Sequence, residues 1–317
     1  MENIKDVILT DYEVRKSNKE KTTFINYIKE RLSDSGYDEE ADITVEGSGY
    51  GIFKTRNIIV GNPDTAEVFI TAHYDTCAVL PFPNVMAPTN PLLFITFQVI
   101  ISLLLIFVAE LCAVPVGFIT RDPVITYRVF LCALILMLWH MMFGYRNKHT
   151  ANDNTSGVIT ITKILEETPA EKRDKICAIY FDNEEKGLLG SMDFVKKHRK
   201  SVQNKLVLNF DCVGDGNHVA SFAKRKAMKD KKYALLVEVL DNTAKEFSIY
   251  SLNKKVLPMM FPSDNMNFNR GIGFCGLKKS FIGLYTGRIH TPLDTKCSKN
   301  NIEFLVNSIL EFVNKIE

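Results

Sequence analysis

From Pro91 to Ala109 the chain carries no charged residue: PLLFITFQVIISLLLIFVA. The apolar character continues past Glu110 to about Ile119. A second apolar run spans Val129–Phe143 and gains length from Val124–Tyr127 if Arg128 reaches back to a polar boundary. A bilayer core takes about 20 apolar residues in a helix, which the first run meets. A pair of buried core helices is the competing reading. Such helices carry a polar stripe, and these runs show almost none. The link, roughly Thr120–Pro123, holds Arg121, Asp122 and a proline, enough for a tight turn. The expectation is a transmembrane hairpin, residues 91–144, whose two ends return to the same side. Glu110 is expected near an interface, and His140 facing the partner helix.

Three weak signals orient the hairpin. Tyr145-Arg146-Asn147-Lys148 follows the second run, whereas the link balances Arg121 with Asp122. The bias of cationic loops toward the cytoplasm then puts both polar segments inside. The start, MENIKDVILTDYEVRKS, has no apolar stretch of the secretory kind. The 7 cysteines are scattered without a CxxC pair, which disfavours a disulfide framework and a cysteine-based zinc site. The expected location is the cell membrane, multi-pass, with the polar domain cytoplasmic. Lys+Arg number 39 against 37 Asp+Glu, so no net charge draws the chain to nucleic acid.

Outside the hairpin the pattern alternates strands and helices. Lys21–Leu32 places Phe24, Ile25, Ile28 and Leu32 at helical spacing. Short strands are expected at Ile43–Val45 and Asn57–Val60, and buried strands at Glu67–Ala72, Ile176–Phe181 and Leu206–Phe210. Helices are expected at Gly157–Glu166, Leu189–His198, Ala227–Phe247 and Asn301–Ile316, and a late strand at Lys279–Tyr285. This order argues for one α/β domain, residues 1–90 and 145–317, with a largely parallel sheet and helices on both faces. The hairpin is then an insertion within it.

In such sheets ligands bind beyond the carboxyl ends of the strands. His73-Tyr74-Asp75-Thr76, Asp182-Asn183-Glu184-Glu185, Asp211 and Arg288–Thr295 all follow expected strands. Ala151–Gly157 lies between the hairpin and the next helix. Imidazoles with carboxylates suit zinc or a similar divalent ion. The five groups His73, Asp153, Glu185, Asp211 and His290 are too many for one tetrahedral ion and suit two ions sharing a carboxylate. His73 and Asp75 stand at i and i+2 of an extended segment and share a face, so Asp75 can accept the second ring N–H of His73. Glu184 and Glu185 point in different directions, so one can bind metal while the other serves as general base. Gly187 and Gly190 permit a tight turn into the next helix. Each piece alone is ordinary surface chemistry; their convergence on strand ends of one sheet is what carries the reading.

These segments resemble the co-catalytic zinc exopeptidases of the aminopeptidase S / aminopeptidase Y type, whose relatives include glutamate carboxypeptidase II and glutaminyl cyclase. The matching pieces are TAHYDT, ANDNTSGV, FDNEEKGLLGS, NFDCVG, PSDNMNF and RIHTPLDT, in the family's order. The resemblance implies a three-layer sandwich with a largely parallel mixed central sheet, and two zinc ions per chain. By position, His73 and Asp211 would bind one ion, Glu185 and His290 the other, and Asp153 would bridge them. Glu184 would be the general base and Asp75 the carboxylate behind the metals, with Asp264 and Asp294 in supporting positions. The chain departs from the family in two places: Asn265 stands where a histidine is common, and Met259, Met260 and Phe261 stand where some members carry a tyrosine. The donor to the oxyanion is therefore unassigned. The implied reaction is hydrolysis of a peptide bond in a peptide or protein substrate, most readily by an aminopeptidase. The alternatives are a glutaminyl cyclase using one zinc, which the retained Asp211 and the DNTSG sequence oppose, and a non-catalytic membrane receptor, which the complete ligand set opposes.

Overall fold

A computed structural model describes residues 3–82, 84–254, 261–281 and 283–316; Met259 and Met260 lie outside these. In chain order the first elements are α1 (Ile4–Asp11), α2 (Asn18–Asp34), β1 (Ile43–Ser48), β2 (Thr55–Val60), β3 (Val68–His73) and β4 (Val85–Met86). Two long helices follow, α3 (Pro91–Thr120) and α4 (Pro123–Phe143). Next come α5 (Gly157–Glu167), β5 (Ile176–Phe181), α6 (Leu189–Lys197), α7 (Arg199–Val202), β6 (Leu206–Phe210) and β7 (His218–Ala223). The chain closes with α8 (Lys231–Glu246), β8 (Tyr250–Lys254), β9 (Gly271–Ser280), β10 (Gly283–Gly287) and α9 (Lys299–Lys315).

The strands form one mixed sheet in the order β1-β2-β5-β3-β6-β9-β10-β4, with β7 joining β9 to β8. β5, β3, β6 and β9 run parallel, and antiparallel partners flank them on both sides. The alternation of β3 sorts its side chains between two cores. Val68, Ile70 and Ala72 face a layer containing residues of α2, α5, α8 and α9. Phe69 faces the other side, with Phe194 of α6 and Phe268. Helices thus cover both faces, as the sequence pattern predicts.

The late strand expected at Lys279–Tyr285 divides between two antiparallel strands: Lys279 and Ser280 end β9, Gly283–Tyr285 open β10, and Ile282 lies outside the described residues. β7, β8 and most of β9 carry weak strand signals. In β9 (GIGFCGLKKS) glycine stands where loops press on the backbone. A Cβ at Gly271 would lie 2.1 Å from the Asn265 carbonyl, and one at Gly276 would lie 2.5 Å from that of Asp215. Glycine weakens strand propensity in isolation, so close packing hid the strand from a propensity reading.

The apolar block forms two packed helices and is not part of the core. Of all the residues in α3 and α4, only Ala109 and Ala113 are buried. Ala109, Ala113 and Gly117 recur every fourth residue, and a Cβ on Gly117 would meet Thr126 Oγ1 at 2.8 Å. Small residues at this spacing let helices approach closely. Asp122 caps α4 by accepting the amide N–H of Val124 at 2.8 Å, and Arg121 turns the chain in the left-handed region. Glu110 is exposed, and His140 lines a cavity together with Leu104, Leu105 and Val108 of α3, its ring 5.6 Å from that of Tyr145.

The hairpin's two stems are tied to each other and to the domain. Val79 N–H donates to Tyr145 O at 2.8 Å, and Leu80 N–H donates to His290 O at 2.8 Å. Asn147 Nδ2 donates to the carbonyls of His149 and Thr291.

Candidate metal centre

Three adjacent parallel strands end together. His73, the last residue of β3, is in register with Phe181, the last of β5, and Phe210 ends β6 beside them. The polar residues beyond these ends therefore meet in one place. Asp211 directly follows β6, and Glu184 and Glu185 lie in a single 3-10 turn after β5. Asp153 comes from the kinked segment Ala151–Ser156, which leads into α5, the helix packed on β3; the Asp153–Asn154 peptide is cis. His290 arrives from the loop after β10, held by the stem contact with Leu80.

Asp153 lies between the two histidines. Its Oδ1 is 3.3 Å from His73 Nε2, and its Oδ2 is 3.0 Å from His290 Nε2. On one side Asp211 Oδ1 is 3.6 Å from His73 Nε2. On the other, Glu185 Oε2 is 3.3 Å from His290 Nε2. His73, Asp153 and Asp211 offer ligand atoms within 4.8 Å of one another, and so do His73, Glu184 and Glu185. Both glutamates therefore reach the cluster. A third trio, Cys77, Glu185 and His290, adds a thiol that the cysteine spacing did not suggest.

Asp75 does less for His73 than expected. His73 Nδ1 lies 3.2 Å from the Asp75 backbone carbonyl and 3.6 Å from its carboxylate. The carboxylate instead accepts the amide N–H groups of Glu184 at 2.9 Å and Glu185 at 3.3 Å, pinning the glutamate turn. Asp294 does the same for the bridging segment, accepting the N–H groups of Asn152 at 2.8 Å and Asp153 at 2.9 Å. At Gly190 the chain passes so close to β5 that a Cβ would lie 2.3 Å from the Asp182 carbonyl. Asn183, Cys212 and His290 adopt positive φ at the ends of these segments, conformations that L residues with side chains enter at a cost.

The electrostatics show what the cluster lacks. Burial pushes Glu185 up to about 8, with Asp153 adding to it, and Asp294 to about 8 for the same two reasons. Burial, and then Asp75 and Asp211, push Asp264 to about 7. Glu184 lies well above the usual carboxylate range through burial and its neighbours Glu185, Asp211 and Asp264. Burial opposes the charged form of His290, yet Glu185 and Asp153 hold it up to about 9. Crowded, buried carboxylates of this kind lack positive charge. Glu185 Oε1 and Asp211 Oδ1 are buried without a hydrogen-bond partner. Orphaned carboxylate oxygens beside imidazoles match the donor set of zinc, so the residues present fit that ion.

Two buried cations behind the cluster escaped the sequence reading. Arg15 donates to Tyr74 O and to Thr155 Oγ1, and burial pushes it down to about 10 while Asp75 resists. Lys21 pairs with Asp182 and donates to Asn183 Oδ1. Arg15 stands in no motif. Lys21 carried a signal, because it occupies the apolar stripe of α2 beside Phe24, Ile25 and Ile28. Asn265 and Asp264 are both buried.

A profile described as Peptidase family M28 matches residues 139–312. The LapA aminopeptidase of Legionella pneumophila aligns at 14% identity over 98% of this chain and 69% of its own, with a TM-score of 0.55. A glutaminyl cyclase of Bacteroides thetaiotaomicron, solved with N-acetylhistamine, aligns at 15% identity over 99% and 96%, with a TM-score of 0.58. One from Macrostomum lignano aligns at 10% identity over 98% and 88%, with a TM-score of 0.55. At these identities the likeness is one of fold. Among curated proteins no sequence matches significantly.

Proposed function

The chain belongs to peptidase family M28, whose members are zinc-dependent hydrolases, and on that premise we propose that it is a di-zinc aminopeptidase anchored in a membrane by α3 and α4. One observation carries the di-zinc reading: the Asp153 carboxylate turns one oxygen toward His73 and the other toward His290. His73 and Asp211 would hold one ion, Glu185 and His290 the other, with Asp153 shared. The ions would supply Lewis acidity toward the peptide carbonyl and a water reactive at neutral pH.

The chain's own residues do the rest. Glu184 takes the proton of the attacking water and passes it to the leaving amine. Asp75 fixes the turn that presents both glutamates, and Asp294 fixes the segment that presents Asp153.

The membrane reading is supported by the helices themselves, in which mean hydropathy reaches 2.8 over an 18-residue stretch of α3 and 1.8 over one of α4. Polar and aromatic groups gather at the hairpin's base. Lys16 Nζ donates to Met142 O at 3.0 Å, Lys186 Nζ lies 5.8 Å from the Phe143 ring, and Trp139 packs 4.2 Å from that ring. Arg146, paired with Glu20, and Lys148 follow. Cations and aromatics at this boundary favour residues 1–90 and 145–317 as a cytoplasmic catalytic domain and 91–144 as the membrane hairpin.

Metal analysis of detergent-purified protein, with peptides bearing a free, an acetylated or a glutaminyl N-terminus, tests the proposal. The expected result is two zinc ions per chain and hydrolysis of free N-termini. One zinc with pyroglutamate formation would instead make it a cyclase. Neither metal nor turnover would leave a scaffold. Titration refines the ligand assignment: Asp153→Ala should weaken both ions together, and His290→Ala mainly one.

A further inference from the structure

We propose that α3 and α4, besides anchoring the protein, build the wall of its substrate pocket, so that the residue next to the scissile bond carries a large apolar group. This rests on the peptidase reading above and names its substrate class. The observation is a cavity of about 620 Å³ whose lining runs from Glu185 and His290 directly onto Phe94, Phe97, Ile101 and Met141. The helices' share of the wall is apolar apart from Gln98. A second cavity, of about 430 Å³, adjoins the first through Phe82 and Met141 and continues to Val108. It is apolar apart from His140. From Phe94 to Val108 a helix rises about 21 Å, so the two cavities form a trough leading from the candidate ligands along the hairpin.

The hairpin's packing agrees. α3 is buried at Ala109 and Ala113, whereas near the domain Phe94, Phe97 and Ile101 stand half-exposed around the cavity. A substrate whose carbonyl lies at Glu185 and His290 must place its adjoining side chain against this wall. A polar side chain there loses water without gaining a partner. An apolar one gains in proportion to the area it covers, and a long one gains more because the trough continues.

The test uses the full chain in lipid nanodiscs. The substrates are tripeptides X-Gly-Gly, with X being serine, alanine, leucine or 2-aminododecanoic acid. kcat/KM should rise in that order, with leucine exceeding alanine by about tenfold or more. Phe97→Ser and Met141→Ser should shrink the leucine-to-alanine ratio several-fold, mainly through KM for the leucine peptide. Ile101→Trp, which narrows the trough, should penalise the aminododecanoyl peptide most. Ile95→Ser, on an exposed part of α3, should leave the ratio unchanged. Bound metal reports that each variant has folded. The Glu184→Gln protein supplies a readout without turnover: its equilibrium binding of the same peptides should follow the same order. Equal kcat/KM across the series, or a ratio untouched by Phe97→Ser, Met141→Ser and Ile101→Trp alike, overturns the pocket while leaving the peptidase reading intact. If no peptide is cleaved but Glu184→Gln still binds them in the apolar order, the pocket stands and the peptidase reading falls. Absence of both cleavage and ordered binding removes both.

Discussion

The hairpin and the α/β domain use the same apolar residue types in opposite surroundings. Every residue of β3 is buried, whereas Leu103, Phe118 and Ile119 of α3 are 60%, 80% and 82% exposed. A helix satisfies its own backbone hydrogen bonds, so it can stand alone in an apolar solvent; a strand cannot, and needs neighbours on both edges. The domain is therefore a product of cooperative packing, and the hairpin a product of composition. Exposed apolar surface on this scale is a liability in water, and the proposed membrane anchoring would cover it. The two regions meet at the cavity beside Glu185 and His290, which residues of both line.

The comparison can be strained from the chemical side first. Glu184→Gln should leave fold and metal content unchanged and cut turnover about 10²–10⁴-fold, the usual worth of general-base catalysis. Near-normal activity with metals bound would mean that the base lies elsewhere. Next comes one substitution made in both regions. Leu208→Ala, fully buried in β6, should cost about 2–5 kcal/mol of unfolding free energy, read from urea denaturation of detergent-solubilised protein. Leu103→Ala should stay within about 0.5 kcal/mol. Similar costs at both positions would show that α3 packs as a core helix after all.

A smaller effect is expected at Asp294→Asn, which removes one of the two acceptors holding the Asp153 segment. Zinc affinity, read by chelator competition, should fall about 10–100-fold, typical of groups that position a metal ligand. An unchanged affinity would make Asp294 merely structural. The last test reads topology and alters no energy. With Cys112 and Cys132 replaced by alanine, Thr120→Cys should react with an impermeant thiol reagent outside the cell and Lys200→Cys should not. Release of the whole protein by carbonate without detergent would end the membrane reading.

Local patterns were legible and global pairings less so. Leu206–Phe210 and Ile176–Phe181 were readable because buried parallel strands are continuous apolar runs, and they occupy those bounds in the sheet. The helix at Ala227–Phe247 starts later, at Lys231, where Asp230 caps it. β9 was obscured because its glycines answer to loops from elsewhere in the chain. The strand-end residues His73, Asp153, Glu185, Asp211 and His290 were legible as candidates, and the structure brings all five together. Arg15 was not legible, because the contacts that place it behind the cluster, to Tyr74 and Thr155, lie 59 and 140 residues away.

By itself, the amino-acid sequence determined that two helices stand apart from water-soluble packing, because charge-free length is a local property. It also determined the alternation of strands and helices, and therefore that polar residues after the strands could converge. Only the tertiary structure decided that Asp153 faces two histidines at once, that Asp75 and Asp294 hold backbone turns, and that the hairpin's base walls the cavity beside Glu185 and His290. Those relations join residues tens to hundreds of positions apart. Their distances follow from strand register and helix packing, which no local spacing encodes.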